Sequence, residues 1–204
     1  MSRDGNESVD GSRAARLAVC PATPDDLPEI VRVYLAAYAQ PPWCERNDPT
    51  HSRMYLEWLL GIPDSQCLVV TDAAAGNGTG RVYGLVMSAP RTPAEFYEDW
   101  ERICHPLPQG WPRLPTATNA IGYLYELAVD PPWQGHGLGG RLLDAVLQAL
   151  TGLGTELIAL RSSERAAVAV GLYEQRGFTR WPLRERRQPD ARWWQRRTTS
   201  PARD

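Results

Sequence analysis

Gln134-Gly135-His136-Gly137-Leu138-Gly139-Gly140 separates a run that reads as a β-strand from one that reads as an amphipathic helix. The run before it, Tyr123-Leu124-Tyr125-Glu126-Leu127-Ala128-Val129, is rich in aromatic and branched residues and stops at Asp130-Pro131-Pro132. After it, Leu138, Leu142, Leu143, Val146, Leu147 and Leu150 recur at helical spacing. A glycine turn that opens a helix is an anion site. Unpaired amides converge there, the helix dipole adds partial positive charge, and missing side chains let phosphate oxygens approach the backbone. The stretch therefore predicts a phosphate-bearing cofactor.

The glycines admit two patterns. Gly135, Gly137 and Gly140 satisfy G-x-G-x-x-G, and Arg161-Ser162-Ser163 stands about 20 residues on, where a dinucleotide fold reads its ribose. Against that, Asp130 to Gln134 intervenes between strand and first glycine, and only one helical segment remains after Arg161, too little for further βαβ units. Gln134, Gly137 and Gly139 instead spell Q-x-x-G-x-G, which resembles the pyrophosphate loop of the GNAT superfamily of acyl-CoA-dependent N-acetyltransferases. Downstream, Leu172-Tyr173-Glu174-Gln175-Arg176-Gly177-Phe178 is similar to that family's L-Y-E-x-x-G-F segment. Two motifs in order and correctly spaced are more specific than either alone. The resemblance is carried by the C-terminal half; the N-terminal half matches by pattern only.

Bulk properties suit one domain. The chain has 204 residues, 43% of them hydrophobic, enough for a sizeable core. No apolar run approaches the roughly 20 residues that span a bilayer. Residues 1–15 are polar and read as a disordered tail rather than a secretory signal, which sets a cytoplasmic location as the expectation. Cys20, Cys44, Cys67 and Cys104 are widely spaced and read as reduced thiols, and His51, His105 and His136 are equally scattered, so no metal is expected. Net charge is −2, and all 22 basic residues are arginine. The late arginines from Arg176 to Arg197 read as a solvated face of the last strands, some within reach of cofactor phosphates, with no nucleic-acid-binding pattern beside them.

Along the chain, a strand at 16–20 precedes a helix opened by Thr23-Pro24-Asp25-Asp26 and stopped by Pro41-Pro42. A second helix spans 52–60, followed by strands at 66–72 and 81–88 joined by a glycine-rich turn at 75–80. Residues 91–121 break the pattern: an acidic aromatic helix, 94–100, leads into a proline-rich loop that reads as an insertion or lid. A strand at 155–160, a helix at 166–175 capped by Gly177, and strands at 178–183 and 191–198 complete the domain, 16–199, before a short tail, 200–204. The fold class is thus α/β (α+β). The resemblance implies one GNAT-like domain: a mixed, mostly antiparallel sheet of six to seven strands with helices on both faces. In that fold the fourth and fifth strands diverge to admit the pantetheine arm.

The resemblance also assigns roles. Leu127, Ala128 and Val129 hold the pantetheine through their backbone, and Gln134, Gly135, His136, Gly137, Leu138, Gly139 and Gly140 hold the diphosphate of acetyl-CoA. All three strand residues are equally core positions. Acyl transfer to an amine needs a base, a donor to the carbonyl oxygen and an acid for the leaving thiolate. Glu126 is the candidate base, because a carboxylate amid apolar strand residues has its pKa raised by burial; a solvated or salt-bridged edge glutamate is the alternative. Tyr173 is the candidate acid, or else a tyrosine that packs its helix on the sheet. The family's usual asparagine seven residues earlier is Ala166 here, so Ser162 or Ser163 is left to supply a hydroxyl.

For the acceptor, Pro42-Trp43-Cys44-Glu45 lies where the family builds its pocket. Glu95, Glu98, Asp99 and Glu101, with Phe96, Tyr97, Trp100 and Trp111, suit a cationic amine if the segment is a lid. With no cysteine in a nucleophile motif, the expected activity is direct N-acetylation of a small-molecule primary amine. A protein or peptide N-acetyltransferase and a non-catalytic acyl-CoA-binding module are the alternatives. The expected state is a monomer or homodimer with no membrane or nucleic-acid partner.

Overall fold

Short apolar runs alternating with amphipathic stretches build a layered domain, and the computed structural model shows how the layers meet. It describes residues 16–72, 80–106, 114 and 121–198. The expected tails at 1–15 and 200–204, the turn at 75–79, and Trp111 with most of the proline-rich loop lie outside the described residues.

In chain order the elements are β1 (Leu17–Pro21), α1 (Leu27–Tyr38), α2 (Pro49–Leu60), β2 (Gln66–Asp72), β3 (Gly84–Arg91), α3 (Pro93–Ile103), β4 (Cys104–Pro106), β5 (Ile121–Val129), α4 (Leu138–Gly152), β6 (Leu157–Ser163), α5 (Ala167–Gln175), β7 (Thr179–Glu185) and β8 (Ala191–Arg197). They form one sheet in the order β1-β2-β3-β5-β6-β8-β7-β4. Every neighbouring pair is antiparallel except β5 and β6.

The sheet has eight strands where six to seven were expected. The addition is β4, read in the sequence as the start of a loop. It is three residues long and carries no periodic signal of its own; it exists because Cys104–Pro106 pairs with Leu183–Glu185 of β7.

Local chemistry explains the other boundary shifts. Helix α2 starts at Pro49, three residues before the expected Ser52, because the Asp48 carboxylate accepts from the His51 amide at 2.9 Å and Pro49 occupies the first turn. Thr92 and Glu95 form a capping box that starts α3. Strand β6 begins late because Thr155 closes α4, its hydroxyl donating to Leu150 O at 2.9 Å. Strand β3 runs on to Arg91 because β5 pairs with it that far.

Helix α4 packs on one face of the sheet through Leu138, Leu142, Leu143, Val146, Leu147 and Leu150, all buried, joined by Tyr173 and Phe178. Each such aliphatic side chain contributes roughly 1.5–3 kcal/mol by leaving water. The other face is covered by α1 and α2 through Leu27, Ile30, Val33, Leu56 and Leu59. Beside them α3 buries Phe96 and Trp100 against Trp181 and Trp193.

Two irregularities in β5 matter more than the packing. Met87 pairs with Glu126 while Ser88 pairs with Leu124, so Tyr125 is an extra residue, a β-bulge. Side chains along a regular strand alternate between faces, and the bulge resets the alternation. Leu124 packs on the α4 side, as do Leu127 and Val129, whereas Tyr125 and Ala128 pack towards α1 and α2. The second irregularity is a fork. β5 and β6 pair only over Ile121–Leu124 and Leu157–Leu160; β5 then follows β3 and β6 follows β8. The strands diverge, as the resemblance implied.

Candidate active site

At the fork a cavity of about 680 Å³ opens on the side of α1 and α2. Its aromatic wall includes Tyr34 and Tyr38 of α1, Tyr55 of α2 and Tyr125 of the bulge. Tyr34 and Tyr38 stand 4.7 Å apart by ring centroids, one helical turn from each other, and Tyr38 meets Trp43 at 5.6 Å. Pro42, Trp43 and Glu45, from the segment after α1, continue this wall. The opposite wall is polar, with Arg161, Ser162 and Ser163 of β6 and Gln188 and Asp190 before β8.

Glu126 projects into this cavity and is only 8% exposed. Tyr38 Oη donates to its Oε2 at 2.5 Å, and Tyr55 Oη donates to its Oε1 at 2.7 Å. Burial pushes the Glu126 carboxyl up to about 7, while the two phenol donors pull it back by favouring the charged form. Both phenols are held above their ordinary range, by burial first and by the Glu126 charge second. They stay neutral donors. A carboxylate has about four lone-pair sites, so two hydrogen bonds leave room for a proton from an incoming group. A base poised near neutrality is what proton abstraction at physiological pH requires.

Tyr173 lies elsewhere. It is 5% exposed, on α5, among the residues packed on the α4 side, with ring centroids 5.8 Å from Phe178 and 6.4 Å from Trp194. Burial and then the Glu126 charge raise its phenol, with the Ser162 hydroxyl opposing them. Ser162 lines the cavity and hydrogen-bonds with the Tyr173 phenol, which links Tyr173 to the cavity. Ala166 is buried at the start of α5.

The glycine loop sits at the end of β5. Gly135 and Gly137 both hold φ +78°, a left-handed conformation that side-chain-bearing residues rarely adopt, and a Cβ on either would meet nothing within 4 Å. Gly137 is the N-cap of α4. The amides of Leu138, Gly139 and Gly140 therefore open the helix without an intrahelical acceptor. Gln134 Nε2 donates to Val129 O at 3.1 Å and His136 Nδ1 meets Gln134 O at 2.9 Å, which ties the loop to the strand. Trp133 is buried beneath it, 4.4 Å from the Tyr83 ring. Open space over bare amides fits a diphosphate. Past the fork one edge of β5, which includes Leu127 and Ala128, pairs with no strand among the described residues and fits an extended arm that bonds to backbone.

Of the acidic aromatic segment, Phe96 and Trp100 are core residues and Glu95 caps its own helix through Thr92 at 2.8 Å. Among the late arginines, Arg176 grips Asp144 at 2.6 Å and Arg192 grips Glu164 at 2.8 Å. Among the described residues no three His, Cys, Asp or Glu side chains converge as a metal site, and no helix is long and apolar enough to cross a membrane.

Pro42, Trp43, Glu45, Ser162 and Ser163 line the cavity as the sequence reading placed them; the tyrosines of its wall were the part the sequence concealed. Tyr34, Tyr38 and Tyr55 belong to no motif and lie in helical runs that read only as amphipathic helices. The available signal was a tyrosine pair at i, i+4 in a buried stripe, since a buried phenol seeks a hydrogen-bond partner.

Comparison with known proteins places the chain in a family and matches its fold. A family model for the acetyltransferase (GNAT) family matches residues 29–178. A mycothiol acetyltransferase of a Nocardioides species is 32% identical over 158 residues, 76% of this chain and 46% of that protein. One from Geodermatophilus obscurus is 45% identical over 62 residues, 30% of this chain and 20% of that protein. The chain thus spans less than half the length of these relatives. Among solved structures, the ribosomal-protein-S18-alanine N-acetyltransferase of Escherichia coli aligns with TM-score 0.62 at 18% identity, covering 92% of this chain and 97% of that one. The Salmonella typhimurium protein yncA, solved with its cofactor acetyl-CoA, aligns with TM-score 0.59 at 18% identity, covering 92% and 96%. At that identity the likeness is one of fold.

Proposed function

This chain belongs to the GNAT acetyltransferase family, and from that membership we propose that it moves an acetyl group from acetyl-CoA directly to the primary amine of a small molecule. One observation carries the reading: a buried carboxylate, Glu126, held by two phenols at the mouth of a forked sheet and poised near neutrality.

Acetyl-CoA supplies the acyl group already activated as a thioester. The amides from Gly135 to Gly140 hold its diphosphate, with Gln134 and His136 fixing the loop, and the backbone of Leu127, Ala128 and Val129 orients its arm along the fork. Glu126 takes the proton that the amine loses as nitrogen bonds to the acyl carbon. Tyr173 Oη returns a proton to the sulfur whose bond to that carbon breaks. Tyr34, Tyr38, Trp43 and Tyr125 present aromatic faces that suit a cationic amine before it is deprotonated.

The relatives named for mycothiol rather than for a protein support a small-molecule acceptor. Calorimetry with coenzyme A, paired with thiol release from acetyl-CoA across amines and peptides, tests the reading. We expect coenzyme A uptake and turnover of small amines. Turnover confined to peptide N-termini would move the assignment to a peptide acetyltransferase. Uptake without any turnover would make the chain an acyl-CoA-binding module, and no uptake would end the case.

A further inference from the structure

The polar wall of the cavity holds a cation that the acetyl-transfer chemistry does not use. Arg161 follows Leu160, the last β6 residue paired with β5, and Glu126 lies just past Leu124, the last β5 residue of that pairing. The two side chains thus face each other across the fork, both lining the cavity and within electrostatic reach of one another.

Arg161 is anchored from behind. Its Nη1 donates to both oxygens of Glu185, at 3.1 and 2.9 Å, and Glu185 is buried at 6% exposure while the Arg161 side chain keeps 37%. A guanidinium has five N–H donors in a planar fork. Nη1 accounts for two of them, and among the described residues no other group accepts from Arg161. The Nε and Nη2 donors are left for the cavity. The neighbouring cation is less firmly placed: Arg165 is largely exposed, and its Nε pairs with the half-exposed Asp190 at 3.2 Å, whereas the partner of Arg161 is buried.

We infer that the acceptor is an amino acid, its amine read by Glu126 and the aromatic wall and its carboxylate read by the spare donors of Arg161. The inference rests on the acetyl-transfer reading and names the substrate class of the same site. A planar guanidinium pre-positioned by a buried carboxylate matches a second carboxylate in shape and charge, which an exposed lysine would not. Asp190, the carboxylate of the same wall, is engaged by the Ser163 hydroxyl at 3.1 Å and by Arg165 Nε at 3.2 Å.

Matched acceptors on the intact protein test this. Each α- or ω-amino acid is compared with its carboxamide and with the amine lacking the carboxyl group, by thiol release from acetyl-CoA. The expected result is about ten-fold or more in kcat/KM for the carboxylate member, mostly in KM. Arg161→Gln should collapse that ratio by lowering turnover of the acid, and Arg161→Lys should restore part of it. Equal or better turnover of the neutral members overturns the carboxylate assignment alone. Failure of every member sinks the acetyl-transfer reading and this inference with it. Because the wild-type comparison decides the matter, a variant that leaves Glu185 unpaired and fails to fold does not obscure it.

Discussion

Tyr38 and Glu126, 88 residues apart in the chain, meet as phenol and carboxylate at 2.5 Å. Helix α1 delivers the phenol and the bulge at Tyr125 delivers the carboxylate. Burial alone would suppress ionisation of Glu126, and the phenols of Tyr38 and Tyr55 offset part of that by bonding to the charged form. The pair therefore helps set the pH at which Glu126 ionises.

Replacing Glu126 by Gln keeps the size and one acceptor oxygen but removes the proposed base. We expect kcat to fall by about 10²–10⁴-fold, with coenzyme A affinity unchanged in calorimetry. Tyr173→Phe should slow turnover in the same assay, also with the donor bound normally. Full turnover in both variants would remove the acid–base assignment.

A base works only when deprotonated, so kcat/KM should rise with pH through about 7 and then level. Tyr38→Phe removes a donor to the charged form and should move that limb to higher pH. Stability responds with the opposite sign. Folding raises the Glu126 carboxyl from its ordinary 4.5 to about 7, so the native state binds the extra proton and loses stability as pH rises across that window. Urea titrations at pH 5 and 8 should show this loss, and Glu126→Gln should shrink it.

Gly137 holds φ +78° at the N-cap of α4, with open space where a Cβ would stand. Valine there is strained by roughly 1–2 kcal/mol and intrudes on the proposed diphosphate cradle. The expected signature is a melting temperature lowered by a few degrees together with coenzyme A affinity weakened about ten-fold or more. Lost stability with unchanged affinity would place the cofactor elsewhere.

Arg32 ties α1 to the start of the turn after β5. Its Nη1 meets the buried Asp130 carboxylate at 2.9 Å, and its Nη2 donates to Val82 O at 2.7 Å. Arg32→Ala leaves Asp130 with Arg81 at 3.4 Å. We expect about 2–3 kcal/mol of destabilisation by urea unfolding, discounted for the partial exposure of Arg32. A change under 0.5 kcal/mol, about what an ordinary surface substitution costs, would show that Arg81 suffices.

The glycine loop, its helix and the L-Y-E-x-x-G-F segment were legible because their signals are local. Positive-φ glycines, an apolar stripe at helical spacing and proline stops act over a few residues, and α4 and α5 fall within a residue or so of where the pattern put them. Strand β4 was not legible, because three residues acquire strand geometry only from the neighbour they pair with. Phe96 and Trp100 looked able to form a lid, yet they are core, since nothing in α3 itself reveals that Trp181 and Trp193 wait beneath it.

Glu126 divides the two kinds of information. Its place on a strand leading to a glycine loop follows from its neighbours in the chain, through backbone preference and hydrophobic period. Which face it turns to does not. A strand of regular pleat would put Glu126 on the same face as Leu124, towards α4; one inserted residue, accommodated by pairing with β3, turns it towards Tyr38 and Tyr55 instead. That choice belongs to the register of the whole sheet and to helices 71 and 88 residues distant, where burial and hydrogen bonding are decided together and no short stretch of residues carries the answer.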